Sequence, residues 1–241
     1  MQNKKEITLL SSSIGEYIYM ELKNKIIQLE ILPGEAISEQ NISKLFNSSR
    51  TPVKNAFTKL EIEKLITVKS QVGSFVSKID KEVIIELATM RMLLEFSIID
   101  EVCKNITAKD FAFLQNNIKK QKELIKKTYT ALEKAEKFWE LDNEFHNFIF
   151  KISQKEYLWT YIQDNSPHIN RYRILSCTLT NNYLDKIIQD HETILQNIYD
   201  VNQNQKRNYY SELKKLYAKH ILSSINNNLD TLQEENPEFF Y

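Results

Sequence analysis

The chain has 241 residues, of which 42% are hydrophobic and 27% charged, proportions ordinary for a globular protein of one or two domains. Three glycines and four prolines leave few breaks, so we expect a mostly helical fold. The two cysteines, Cys103 and Cys177, argue against a disulfide framework, and the apolar runs are too short to span a membrane. The N-terminus has no signal-peptide pattern, so the expected compartment is the cytoplasm.

The formal net charge is zero, which by itself argues against nucleic-acid binding. The charge is unevenly spread, however. Residues 1–79 carry 11 lysines and arginines against 8 acidic residues, a charge of +3, whereas residues 80–241 carry 21 against 24, a charge of −3. A small basic excess therefore lies in the N-terminal third, and it gives only weak support for contact with a polyanion.

Helices open the chain. Apolar residues recur at helical spacing between Ser12 and Leu32, which predicts an amphipathic helix. Residues 37–46 predict a second, shorter helix with Ser38 as its N-cap. After a two-residue turn, Ser49 has the chemistry to cap a third helix, and Pro52 is tolerated in its first turn because the N–H groups there have no helical partner.

The third helix separates polar from apolar side chains. Its start points Arg50, Thr51 and Lys54 outward, and its inward positions are apolar: Val53, Ala56, Phe57 and Leu60. Cations at the N-terminal end of an amphipathic helix are typical of a recognition helix. Alternating strands at 66–69 and 74–77 follow, joined by a turn in which Gly73 can take positive φ. This order predicts a winged helix-turn-helix, although a small α+β domain without a nucleic-acid role has the same elements.

The motifs of this region resemble the DNA-binding domain of the GntR family of bacterial transcriptional regulators. The shared residues are Pro33-Gly34, the run Ser49-Arg50-Thr51-Pro52-Val53-Lys54-Asn55-Ala56-Phe57, Leu60, Leu65 and the wing end Gly73-Ser74-Phe75-Val76. Three positions depart from the family pattern, where Lys54 replaces arginine, Asn55 replaces glutamate and Lys64 replaces glycine. Lysine keeps the charge but loses the bidentate contact that reads guanine.

The resemblance implies that residues 1–79 form a DNA-binding domain. The implied DNA contacts are Gln40, Ser49, Arg50, Thr51, Lys54 and Gly73. Among these, we expect Lys54 to contact phosphate, whereas Arg50 suits either a base or a phosphate.

From residue 80 onward the pattern is helical. Helices are predicted at 80–105, 108–128, 130–153, 156–179, 183–203 and 207–228, with breaks at Asn181-Asn182 and at Val201–Gln205. Thr107 and Asp110 have the spacing of a capping box. We therefore expect a mainly α protein, with an all-helical domain at 80–228 and a loose C-terminal tail at 229–241.

Four residues of this helical domain carry chemistry. Asp142 and His146 lie one turn apart on one helix face among aromatic residues, and His191 and His220 stand among apolar neighbours on later helices. One carboxylate and three imidazoles suit a divalent transition metal such as Zn, Ni or Mn. For each histidine taken alone, a core histidine that is hydrogen-bonded to a neighbour is the favoured interpretation.

Residues 86 to about 224 resemble the FCD effector domain of FadR-type GntR regulators. The shared residues are the opening Glu86-Leu87, then Arg91, Leu94-Glu95, the Asp142 to His146 motif and two later histidines. The resemblance implies that Asp142, His146, His191 and His220 hold a metal beneath a small carboxylate. It also implies that Arg91 faces the effector pocket, and the alternative is a buried ion pair with Glu95 or Glu144.

Some positions stay open. His191 and His220 are 29 residues apart, more than the domain leads us to expect, and the extra residues either enlarge the loop at Val201–Asn208 or displace His220. His168 matches no ligand position, and Arg171 and Arg173 face either the pocket or the solvent.

The implied function is a DNA-binding repressor rather than an enzyme, with no catalytic residues. It is expected to act as a homodimer on a near-palindromic duplex operator, under control of a small organic acid at the metal site, without membrane association. Two alternatives remain, a metal-free regulator that senses an acyl ligand and a metal-dependent hydrolase that uses Glu140 or Glu144 as base. An interaction module whose helical bundle only dimerises is a further possibility.

Overall fold

The computed structural model describes residues 2–179, 183–204, 208–226 and 228–241. The chain divides into two compact units, Met1–Asp80 with Asn236–Tyr241, and Lys81–Glu235. The fold is mainly α with one small sheet, as the sequence predicts. Over the described ranges, every helix is too short or too polar to cross a membrane.

The first unit is a winged helix-turn-helix. Its elements are α1 (Gln2–Ile27), β1 (Ala36–Ile37), α2 (Glu39–Leu45), α3 (Arg50–Ile62), β2 (Ile66–Lys69) and β3 (Gly73–Val76). The strands form an antiparallel sheet in the order β1-β3-β2, with Phe75 paired to Ala36 on one side and to Thr67 on the other. The wing turn contains Gln71 at φ 60° and Gly73 at φ 141°, so the predicted positive φ of the glycine is confirmed.

The core of this unit lies between α1, α3 and the sheet. The fully buried side chains are Ile18, Leu22, Ile26, Val53, Ala56, Leu60 and Leu65. The inward face predicted for α3 is confirmed, whereas Ile14 and Tyr17 of the predicted α1 stripe are 42% and 58% exposed. α1 ends at Ile27 rather than at Leu32, because Leu29 takes a left-handed backbone conformation with φ 59°.

The second unit is all-helical among the residues described. Its helices are α4 (Lys81–Asn105), α5 (Ala108–Ile125), α6 (Ala131–Ile152), α7 (Glu156–Asp164), α8 (Pro167–Leu179), α9 (Tyr183–Asn204), α10 (Asn208–Asn226) and α11 (Leu229–Glu235). The capping box of Thr107 and Asp110 is confirmed, and Thr130 with Glu133 forms a second one at the start of α6.

The structure corrects two of the predicted helix boundaries. Residues 156–179 form two helices rather than one, because Pro167 has no N–H to donate and instead begins α8. The break predicted at Val201–Gln205 is wrong at its start, since α9 continues to Asn204 and buries Val201. Gln205 and the break at Asn181-Asn182 lie outside the described residues.

The prediction of a loose tail at 229–241 is also wrong. Leu229 and Leu232 lie on the buried face of α11, which packs against α8 and α10. Asn236–Tyr241 belongs to the first unit, where Phe240 is buried and forms a parallel bridge with Ile79. The three-residue spacing of Leu229 and Leu232 gives α11 one apolar face to bury, a pattern that composition alone does not show.

Candidate functional site

The structure brings the four candidate metal ligands together inside the helical unit. Asp142 and His146 lie on α6, His191 on α9 and His220 on α10, and all four side chains are buried. One ligand atom from each residue lies within 4.8 Å of all the others. α9 continues to Asn204 and α10 begins at Asn208, and the long spacing between the last two histidines does not displace His220 from the cluster.

The three imidazoles present the same ring nitrogen to one point. Nε2 of His191 lies 3.3 Å and Nε2 of His146 3.8 Å from Oδ1 of Asp142. Nε2 of His220 lies 3.4 Å from Nε2 of His146. Four groups from three helices therefore converge as a first coordination shell would.

Each histidine turns its other nitrogen toward an oxygen outside the cluster. The three distances are 2.9 Å from His146 Nδ1 to Glu95 Oε2, 3.0 Å from His191 Nδ1 to Gln121 Oε1, and 3.5 Å from His220 Nδ1 to Asp190 Oδ2. The first two are hydrogen bonds, and the third is a longer electrostatic contact. Metal-binding histidines commonly have such outer partners, which orient the ring.

Burial sets the protonation of the cluster. Burial lowers the pKa of His146, His191 and His220, which favours the neutral imidazole that a metal requires. Burial opposes ionisation of Asp142, but its pKa stays well below the ordinary value, and the guanidinium groups of Arg173 and Arg91 favour the carboxylate. The cluster thus offers three neutral nitrogens and one carboxylate.

These donors fit a divalent transition metal. Among the described residues, Oδ2 of Asp142, Nε2 of His191 and Nδ1 of His220 are buried without a hydrogen-bond partner of suitable geometry. Buried polar atoms rarely stay unpartnered, and a coordinated cation would satisfy Nε2 of His191. Three nitrogens and one carboxylate oxygen match Zn, Ni or Mn by donor type.

A small cavity lies beside the cluster. Its volume is about 30 Å³, close to that of one water molecule, and Arg91, Trp139, Arg173 and Tyr183 contribute to its lining. Nη2 of Arg91 lies 3.9 Å and Nη2 of Arg173 3.7 Å from Oδ2 of Asp142. Two guanidinium groups therefore face the side of the carboxylate that the histidines leave open.

The two arginines differ in their other contacts. Nε of Arg91 donates to Oε1 of Glu95 at 2.7 Å, so this arginine both lines the cavity and forms the buried ion pair. The guanidinium carbon of Arg173 lies 4.5 Å from the ring centre of Trp139, a cation–π distance. Arg173 is thus the pocket residue that sequence reasoning left undecided. Arg171 is fully buried and is not part of this lining, and His168 is not part of the metal cluster.

Two further partners of the cluster, on α5, were not predicted from the sequence. Asn117 and Gln121 are buried amides one turn apart on the face of α5 that also buries Leu114 and Ile118. Two polar residues at that spacing within an apolar face were a readable signal, because buried amides need partners.

The six residues expected to touch DNA are all exposed. Ser49 takes the extended backbone conformation of an N-cap, and Arg50, Thr51 and Lys54 follow on the first turns of α3. The side chains of Ser38 and Ser49 make no capping hydrogen bond, so the predicted side-chain caps are wrong. The hydroxyl of Ser49 is therefore left for another acceptor or donor.

Two protein families match the two units of this chain. Residues 14–76 match the bacterial regulatory proteins of the gntR family, and residues 86–204 match the FCD domain. The HTH-type transcriptional repressor RspR of Escherichia coli strain K12 is 26% identical over 94% of this chain and 93% of its own length. The gluconate operon transcriptional repressor of Bacillus subtilis strain 168 is 28% identical over 79% and 77% of the respective lengths.

Solved structures share the fold. E. coli McbR/YncC superposes with a TM-score of 0.62 at 18% identity, covering 92% of this chain and 98% of that one. A putative GntR transcriptional regulator from Rhodococcus sp. RHA1 gives 0.56 at 17% identity over 91% and 99%. With a winged helix-turn-helix in one unit and a helical FCD domain in the other, the chain belongs to the GntR family of bacterial regulatory proteins and is a DNA-binding transcriptional regulator.

Proposed function

We propose that this protein is a homodimeric repressor whose affinity for a near-palindromic operator is controlled by a small carboxylate bound beside a divalent metal. One observation carries the proposal, namely the buried cluster of one aspartate and three histidines next to a cavity that two guanidinium groups enter. The names of two relatives, both repressors, support the direction of control.

The first unit, together with the residues predicted for it, suits the DNA-binding role. Exposed Arg50 and Lys54 are one turn apart on α3, where a recognition helix meets base edges and phosphates. Thr51 and Ser49 offer hydroxyls at the same end, Gln40 lies on the preceding helix, and Gly73 is the exposed first residue of β3. A dimer would place two such helices in successive major grooves, in the cytoplasm where the operator lies.

The second unit suits effector sensing. Asp142 and the three histidines would hold the metal, which as a Lewis acid would bind an oxygen of the effector's carboxylate. Arg91 and Arg173 would meet the remaining negative charge. Because the cavity holds about one water, an effector could bind only if the residues lining it moved. The effector would then bind the rearranged conformation more tightly than the conformation seen here and would shift the protein toward it.

Two alternatives have weaker support. A metal-free acyl sensor would use the apolar part of the cavity, where Ile169 and Ile187 lie, but it leaves the four buried donors without a role. A metal-dependent hydrolase needs a base at the centre. Oε2 of Glu144 instead accepts a hydrogen bond from Asn117 at 2.7 Å.

Sequencing of the genomic fragments that the purified protein retains at physiological salt tests the proposal, with Arg50→Ala as control. We expect enrichment of one short palindrome that the control loses. If the wild-type protein and the control retained the same fragments, the result would contradict operator recognition through Arg50. Metal analysis of the same preparation is expected to find about one divalent transition ion per chain, and an effector from the pathway of the neighbouring genes should release the DNA.

A further inference from the structure

Helix α5 contributes two buried amide side chains next to the metal cluster. Asn117 is 1% exposed and Gln121 is fully buried, and neither is a metal ligand. An amide side chain donates hydrogen bonds through its nitrogen and accepts them through its oxygen, so its orientation decides which neighbours accept and which donate. The contacts of these two residues determine both orientations.

The direction of Asn117 follows from its two partners on α6. Its Nδ2 lies 3.1 Å from the carbonyl oxygen of Leu141 and 2.7 Å from Oε2 of Glu144. A backbone carbonyl and a carboxylate can only accept, so the amide nitrogen of Asn117 must face them. Its Oδ1 is therefore turned to the other side, toward Gln121.

The orientation of Gln121 follows from that of Asn117. Its Nε2 donates to Oδ1 of Asn117 at 2.7 Å, which leaves Oε1 facing Nδ1 of His191 at 3.0 Å. A carbonyl oxygen only accepts, so Nδ1 of His191 must carry the hydrogen. The backbone carbonyl of Leu141 can only accept a hydrogen bond, and this fixes both amide orientations and hence the tautomer of His191. The tautomer therefore does not depend on how the oxygen and nitrogen of an amide were assigned.

This tautomer determines the state of Nε2, the other nitrogen of the His191 ring. With hydrogen on Nδ1, the neutral ring has a lone pair on Nε2, and that atom lies 3.3 Å from Oδ1 of Asp142. Two acceptors then face each other in a buried place, and this contact becomes favourable when both bind one cation.

We propose that Asn117 and Gln121 are positioning residues that hold His191 in the tautomer with hydrogen on Nδ1 and so present Nε2 to the metal. Leu141 and Glu144 anchor this amide relay, which is made of Asn117 and Gln121. The role of the relay in metal binding rests on the proposed metal site. The tautomer of His191 does not depend on bound metal. It also assigns Glu144 a role in orienting an amide instead of acting as a base.

Zinc affinity, measured by competition with a chromophoric chelator, tests the relay. Gln121→Met removes the acceptor and should weaken zinc binding by about 10–100-fold, the usual effect of losing an outer partner of a metal ligand. Asn117→Leu frees the amide of Gln121 to turn and should weaken binding by a smaller factor. The neighbouring Asn116 is exposed on the same helix, so Asn116→Leu is the matched control and should bind as the wild type does.

A double variant separates positioning from simple loss of packing. In Asn117→Leu/Gln121→Glu, the carboxylate can only accept from His191, so zinc affinity should return to the wild-type value or exceed it. A purely structural role for Asn117 predicts no such recovery. Wild-type affinity in Asn117→Leu, or a double variant no tighter than that single variant, would overturn the relay.

The ¹⁵N chemical shifts of His191 in the metal-free full-length protein report the tautomer directly. We expect a protonated Nδ1 in the wild type and a mixed or opposite tautomer in Asn117→Leu. A wild-type ring protonated on Nε2 would refute the relay. The expected tautomer in a protein that binds no zinc would support the relay and instead refute the proposed metal site.

Discussion

Arg91 forms a buried ion pair with Glu95, in which Nε donates to Oε1 across 2.7 Å. The other oxygen of Glu95 lies 2.9 Å from Nδ1 of His146, so one carboxylate contacts both an arginine of the cavity and a candidate metal ligand. Although burial opposes ionisation, His146 and Arg91 hold the pKa of Glu95 at about 2. Arg91 therefore forms the buried ion pair with Glu95 and also lines the cavity beside the cluster.

Replacing Arg91 with methionine should destabilise the helical unit. The change leaves Glu95 as a buried carboxylate without its guanidinium partner, and breaking a buried pair in this way costs about 3–5 kcal/mol. Urea unfolding followed by circular dichroism measures the loss. Arg173→Met is the comparison, because Arg173 stacks on Trp139 and makes no close ion pair with Glu95 among the described contacts. Equal stability losses in the two variants would contradict the special role of the Arg91–Glu95 pair.

Arg50→Ala should weaken operator binding by roughly 1–3 kcal/mol and relax the sequence preference, since an arginine that reads a base edge contributes about that much discrimination. Titration of labelled operator DNA and of a point-mutated operator measures both effects. Lys155→Ala changes an exposed cation in the helical unit and should leave binding unchanged. Unaltered discrimination in Arg50→Ala would remove this residue as a base reader.

Lys54→Ala should weaken binding to every duplex by a similar factor. A lysine that neutralises a phosphate releases about one counterion, so the slope of log affinity against log salt should fall by about one. Binding measured across a salt series distinguishes this from Arg50→Ala, in which specificity changes most. A selective loss for one operator sequence would instead indicate that Lys54 reads a base.

His191→Ala should lower the metal content and abolish the response to the effector while leaving DNA affinity largely intact. The reason is that His191 supplies one of four buried donors and lies in the helical unit. Metal analysis and operator titration on one preparation measure both properties. His168→Ala removes a histidine outside the cluster and should keep the metal. A full metal content in His191→Ala would eliminate the assigned site.

Local patterns of the sequence were enough for the helix-turn-helix and the wing hairpin of the first unit and for two of the four candidate metal ligands. The alternation of Val53, Ala56, Phe57 and Leu60 with exposed cations follows from helical geometry alone, and the structure confirms it. Asp142 and His146 share a face because one turn separates them. The resemblance supplied His191 and His220, which periodicity cannot connect to α6.

The remaining features depended on how the helices pack. The partners of Asn117 and Gln121 come from α6 and α9, and the orientation of Arg173 into the cavity depends on where α8 lies against α6. Residues 229–241 become ordered structure only because other elements cover their apolar side chains. Sequence by itself determined the elements and the ligand types, since these follow from spacing along one chain segment. Only the tertiary structure decided which polar groups meet, because hydrogen bonds between distant segments depend on the packing of whole helices.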